Sequence, residues 1–148
     1  MHSELRIFNE FGEVLKTHEL SQGQEQFEGV TWEGAHLDGA QLQNANFKNA
    51  ILYWAGFFEA NLDGANFEDA NLQGVDLKEA SCVGANFRGA NLGRDNLGGS
   101  SQLQGADLTK AILNRARLEG AEYDEHTKFP KGFHPKSHGM IEKPLDDQ

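Results

Sequence analysis

Residues 60–77 read ANLDGANFEDANLQGVDL. A large apolar residue returns every five positions, at Leu62, Phe67, Leu72 and Leu77, and Ala60, Ala65 and Ala70 stand two residues ahead of the first three. A period of five fits neither standard element. On an α-helix at ~100° per residue, successive centres would be smeared around the axis. On a flat strand an odd period sends successive centres to opposite faces. The pattern requires a chain that turns once per block, with the large residue and the alanine pointing inward each time.

Working outward, the same period starts at Glu25. The block centres are Phe27, Trp32, Leu37, Leu42, Phe47, Leu52, Phe57, Leu62, Phe67, Leu72, Leu77, Cys82, Phe87, Leu92 and Leu97. After one inserted residue near 98–102 they resume at Leu103, Leu108, Leu113, Leu118 and Tyr123, making 20 blocks. A second period lies on top of the first, because Phe27, Phe47, Phe67 and Phe87 are 20 residues apart. Four blocks per coil predict a square cross-section. The predicted columns are Phe27–Phe47–Phe67–Phe87–Leu108, Trp32–Leu52–Leu72–Leu92–Leu113, Leu37–Phe57–Leu77–Leu97–Leu118 and Leu42–Leu62–Cys82–Leu103–Tyr123. About five coils stacked at the ~4.8 Å spacing of paired strands give a rod roughly 24 Å long.

The residue types follow from that geometry. The centres fill the interior as four ladders, and Ala is small because a narrow interior cannot take two large residues per block. Gly, as at Gly64, Gly74 and Gly84, supplies the positive φ that some tight turns need. Asn or Asp ahead of the centre, as at Asn61, Asn66 and Asp76, can bond nearby backbone. Each coil is stable only on its neighbours, as in other solenoids. The stretches ANLDGANFEDANLQGVDL and GANFRGANL (84–92) resemble the pentapeptide-repeat family, with its A(D/N)LXX consensus, over residues 25–125. The resemblance implies an all-β right-handed quadrilateral β-helix. It says little about function.

The expected organisation is an N-terminal hairpin cap over 1–24, with Gly12 in its turn, the repeats over 25–125, and a C-terminal cap and loose tail over 126–148. Phe129, Phe133 and Met140 are candidates to cover the last coil, and the chain is expected to be loose from Glu142. The N-terminus lacks the layout of a signal peptide. No apolar run approaches the ~20 residues needed to span a membrane. The expected setting is cytoplasmic, with no membrane contact.

One segment breaks the polar exterior. In NAILYWAGFFEAN (49–61), Leu52 and Phe57 are centres, but Ile51, Tyr53, Trp54 and Phe58 fall on outward positions. These four form the candidate interaction patch, since Tyr and Trp supply large contact area. No other chemistry stands out. Cys82 is a lone cysteine and is read as a small buried residue. His126, His134 and His138 fit no tight metal motif. No catalytic group and no cofactor or metal is expected.

The formal charge of −10 argues against direct nucleic-acid binding, which needs basic residues against phosphate. The favoured function is a non-catalytic, rigid protein–protein interaction scaffold, with an unidentified protein or a second copy of the chain as partner. The alternative is a DNA mimic that binds a type II topoisomerase, as some members of the family do. Residues 25–125 hold 16 acids and 7 bases, yet a mimic needs its acids ranked along faces, and here the signs are mixed.

Overall fold

The structure, a computed structural model, describes residues 3–8, 14–20 and 26–145. Strand β1 (Ser3–Phe8) pairs antiparallel with β2 (Val14–Leu20), with a register shift between Ile7 and Phe8. Gly12, expected in the turn of this hairpin, lies outside the described residues.

From Gln26 the chain winds as a four-sided coil. Single residues bridge in parallel to the coil above: Gln26 to Asn46, Thr31 to Ile51, His36 to Gly56 and Gln41 to Asn61, 20 residues apart. Each bridge is one residue long because the chain turns again before a second can form. The centre closes that turn, as where Leu52 O accepts from Ala55 N at 3.1 Å. The third turn residue takes positive φ, as at Gly64 (φ 70°) and Gly74 (φ 73°), the requirement of a type II turn.

Where Asn or Asp stands ahead of a centre, it pins the corner. Its side-chain oxygen accepts the N–H two residues on, from Asp63 to Asn61 (3.1 Å), Glu68 to Asn66 (2.9 Å) and Arg88 to Asn86 (2.9 Å). Inside, Phe47, Phe67 and Phe87 stack at 5.1 Å between successive centroids, with interplanar angles of 2° and 5°. Phe57 meets Phe47 and Phe67 edge-on at 6.0 Å. Trp32 and Leu113 are only partly buried against this core.

The upper register differs from the sequence expectation. Where one inserted residue gives pairs 21 apart, Ser81 bridges to Asp107, Asn86 to Ile112 and Asn91 to Arg117, all 26 apart. Six residues therefore leave the coil. The ladders continue as Phe87–Leu113, Leu92–Leu118, Leu77–Leu103–Tyr123 and Cys82–Leu108. Phe129 follows Leu108, because Leu108 N donates to Lys128 O at 2.7 Å. Leu97, expected in the core, is 84% exposed. Asp95 is the physical reason: it stands where a block needs a small inward residue. Its carboxylate instead accepts from the N–H groups of Leu97 (2.8 Å) and Gly99 (2.6 Å), and its own N–H donates to Gly99 O (2.9 Å). The block closes on itself as an external loop.

Beyond the repeats, β3 (Glu122–Tyr123) pairs parallel with β4 (Ile141–Glu142), following a 3-10 turn at Pro135–His138. Met140 is buried, and Phe129 and Phe133 pack against the core. The chain is thus held past Glu142, where looseness was expected: Lys143 N donates to Tyr123 O at 2.8 Å.

Candidate functional site

The second column of the coil carries Tyr53 and Trp54 on its outer corner, directly after Leu52. Tyr53 is half-buried, and its hydroxyl accepts a hydrogen bond from Asn71 Nδ2 at 2.8 Å. Trp54 occupies the positive-φ position of the turn (φ 58°) and is 50% exposed. Its indole lies over Gly74 one coil on, with Nε1 2.8 Å from where a Cβ would stand. The same nitrogen donates to Asp95 Oδ2 at 2.6 Å.

That bond joins two features that are 41 residues apart in sequence, the aromatic corner and the six-residue loop. Asp95 is held below its ordinary carboxyl range, first by the Trp54 indole and then by the Gly99 N–H. The loop sets Leu97 beside the indole. Together Glu33, Tyr53, Trp54, Gln73, Asp95 and Leu97 line an open cleft of about 420 Å³.

The corner has a repeating design. Down the second column its positive-φ site and equivalents read Gly34, Trp54, Gly74, Arg94, Gly120. Large residues alternate with glycines because each side chain lies over the next corner. Arg94 rests on Gly120, its Nε 2.5 Å and Cγ 2.6 Å from where a Cβ would stand. Asn44 on Gly64 and Asp69 on Gly89 repeat the arrangement in other columns.

Of the four residues expected in the patch, Tyr53 and Trp54 line the cleft, while Ile51 and Phe58 do not. Ile51 is half-buried and bridges Thr31 and Asn71. Phe58 is half-buried on the next corner, where its N–H donates to Asp38 Oδ1 at 3.0 Å. Leu97 and Asp95 belong to the site and were not expected there, since Leu97 had been assigned inward. The signal was Asp95 in the place of an alanine.

Burial, followed by the charges of Asp63 and Asp107, pushes the Cys82 thiol far up. Among the described residues no His, Cys, Asp and Glu group is arranged to hold a metal ion. His138 stacks on Phe133 at 4.4 Å, and His126 lies 3.5 Å from Glu125.

A family model described as pentapeptide repeats matches residues 26–55, 55–94 and 101–122 in 8 copies. The interval between its last two segments, 95–100, is the loop that leaves the coil. Among solved structures, a pentapeptide repeat protein from Nostoc PCC 7120 is 34% identical, over 76% of this chain and 84% of its own, with a TM-score of 0.45. A pentapeptide repeat protein of the Arabidopsis thaliana thylakoid lumen is 32% identical, over 67% of this chain and 68% of its own, with a TM-score of 0.54. QnrB1, a plasmid-mediated fluoroquinolone resistance protein, is 15% identical over 82% of this chain and 81% of its own, with a TM-score of 0.44. No curated protein matches.

Proposed function

The chain belongs to the pentapeptide repeat family, and from that premise we propose that it is a non-catalytic scaffold whose Trp54–Leu97 face docks a protein partner. The right-handed quadrilateral β-helix of the family supplies the rigid support. One observation carries the reading. Trp54 holds the left-handed turn position of its block (φ 58°), as Glu59, Glu79 and Lys110 do in theirs, but it alone among these sets a large aromatic ring half in water beside exposed Leu97. That conformation costs roughly 1–2 kcal/mol for a residue with a Cβ. The cost is common to those blocks, so the assignment rests on the exposed apolar surface itself, and Trp is among the residues that dominate binding hot spots.

Rigidity supports the same reading. Trp54 N donates to Gln73 O at 3.0 Å while the indole is tied to Asp95, so the ring loses little freedom when a partner arrives. A catalytic role has less to stand on. Cys82 is buried with its thiol pushed far up, and Asp95 and Asp107 are held down, which makes them weak bases.

The DNA-mimic alternative draws support from the 16 acids against 7 bases in residues 25–125, and none from their placement. Down the exterior of the first column the residues are Glu28, Lys48, Glu68, Arg88 and Asn114, with alternating sign and Lys48 4.0 Å from Glu68. A stripe of this kind does not present phosphate-like charge.

The test is affinity capture from native lysate with wild-type protein and a Trp54→Ser, Leu97→Ser variant of matching circular dichroism. Capture is followed by binding of the purified partner, with sedimentation to detect self-association. A partner or second copy bound only by the wild type supports the reading. Equal binding by both proteins sinks it, and a topoisomerase bound equally by both favours the alternative.

A further inference from the structure

Beside the Trp54 cleft lies a second one, of about 630 Å³, whose lining includes Gln73, Asn91, Arg94, Arg117, Glu119 and His138. Gln73 walls both clefts, and Arg94 precedes Asp95 in the chain, so the two form one continuous face. In a chain of net charge −10, this cleft brings two arginines onto one face. Among the described residues, neither Arg94 nor Arg117 meets a carboxylate within ion-pair distance. Glu119 shares the lining with its stem over Gly139, its Cγ 3.2 Å from where a Cβ there would stand. Arg94 is not splayed at random either, because its side chain lies along the corner that Gly120 leaves open.

Resting on the docking role proposed above, we infer that the partner binds through an extended segment. That segment lays an apolar side chain on Trp54 and Leu97 and sets a carboxylate side chain between Arg94 and Arg117. Trp54 and Arg94 use the same seat two coils apart. At ~4.8 Å per coil their corners are about 10 Å apart, and an extended peptide at ~3.3 Å per residue spans that in about three residues. The recognised pattern is therefore an apolar residue with Asp or Glu three positions away. Arg suits the second subsite because its planar fork matches a carboxylate, and such charge-assisted pairs are stronger than neutral ones. Glu33 and Asp95 on the rim of the first cleft repel an acid placed there, which fixes the direction of the segment.

The test is selection of a random twelve-residue peptide display library on three folded proteins: wild type, Arg94→Glu/Arg117→Glu, and Trp54→Ser/Leu97→Ser. Synthetic versions of enriched peptides are then titrated by fluorescence anisotropy. Wild type is expected to enrich peptides with an acid three positions from an apolar residue. The charge-reversed protein should bind those peptides at least tenfold more weakly and select bases at the acidic position. Arg94→Gln/Arg117→Gln serves as the second variant if charge reversal disturbs folding, with the same loss expected. Enrichment of apolar peptides without the acid, lost on Trp54→Ser/Leu97→Ser but indifferent to the arginines, overturns this inference and leaves the docking role standing. No enrichment by wild type, or equal enrichment by all three proteins, overturns both.

Discussion

Replacing Gly74 by Ala, with Gly84→Ala as its matched control, isolates the seat on which Trp54 rests. Both glycines hold similar left-handed backbone, φ 73° and 69°. An added Cβ at Gly84 meets nothing within 4 Å, whereas at Gly74 it meets Trp54 Cδ1 and Nε1, the latter at 2.8 Å. The backbone term is shared. It costs about 1–2 kcal/mol for Ala and is partly offset by about 0.4–1 kcal/mol from the stiffer unfolded chain, so Gly84→Ala should lose about 1 kcal/mol. Gly74→Ala adds an overpacking cost of about 1 kcal/mol, the low end of the usual range, because the half-exposed ring has solvent to move into. The ring then leaves Asp95, and tryptophan emission should shift to the red in Gly74→Ala alone. Urea unfolding followed by circular dichroism gives the stability difference, and emission of the native protein reports the ring. If the two variants unfold within ~0.3 kcal/mol of each other with wild-type emission, the indole is not seated on Gly74. The alternation of glycine and large residue down this corner then loses its steric explanation.

Three further outcomes are expected. Asp95 is held below its ordinary range by the Trp54 indole, so its contribution is present above the unfolded carboxyl pKa and lost only as pH falls through the depressed folded value. Trp54 emission should hold down to the ordinary Asp range near ~3.9 and change below it; a transition at or above that range, or one that survives Asp95→Asn, refutes the assignment. Leu97→Ser should change stability by less than ~0.5 kcal/mol, while Leu103→Ala, at a buried position, should cost about 2–5 kcal/mol; comparable losses at both sites would restore Leu97 to the core. Cys82 should resist a thiol reagent in the native protein and react on unfolding, because burial both shields it and suppresses its thiolate; stoichiometric labelling of the native protein contradicts this.

The coil was legible because its period belongs to no other element, and because each position of the block answers one local need. Asn61, Asn66 and Asn86 bond the backbone two residues on, Gly64 and Gly74 take positive φ, and the centres go inside. The exposed aromatics were legible as positions too, since Tyr53 and Trp54 follow the centre Leu52 on the outer corner. Their company was not. Which loop arches over a corner depends on contacts between residues 41 apart, such as Trp54 with Asp95, and no local pattern encodes them.

The loop itself shows why a strong period can mislead. Insertions of one residue and of six differ by one whole block, so both restore the five-residue phase at Leu103. Periodicity places Leu103 inside on either reading and cannot say whether the Leu97 block is in the coil or outside it. One observation breaks the degeneracy, and it is chemical. Asp95 stands where the narrow interior admits only a small residue. A carboxylate facing four ladders of Leu and Phe has no partner there and costs several kcal/mol to bury. Outside, the same carboxylate accepts from Leu97 N, Gly99 N and the Trp54 indole. The polar residue that expels the block from the core is thus the residue that positions it against the exposed tryptophan. A single substitution of Asp95 should therefore disturb both the loop and the Trp54–Leu97 face.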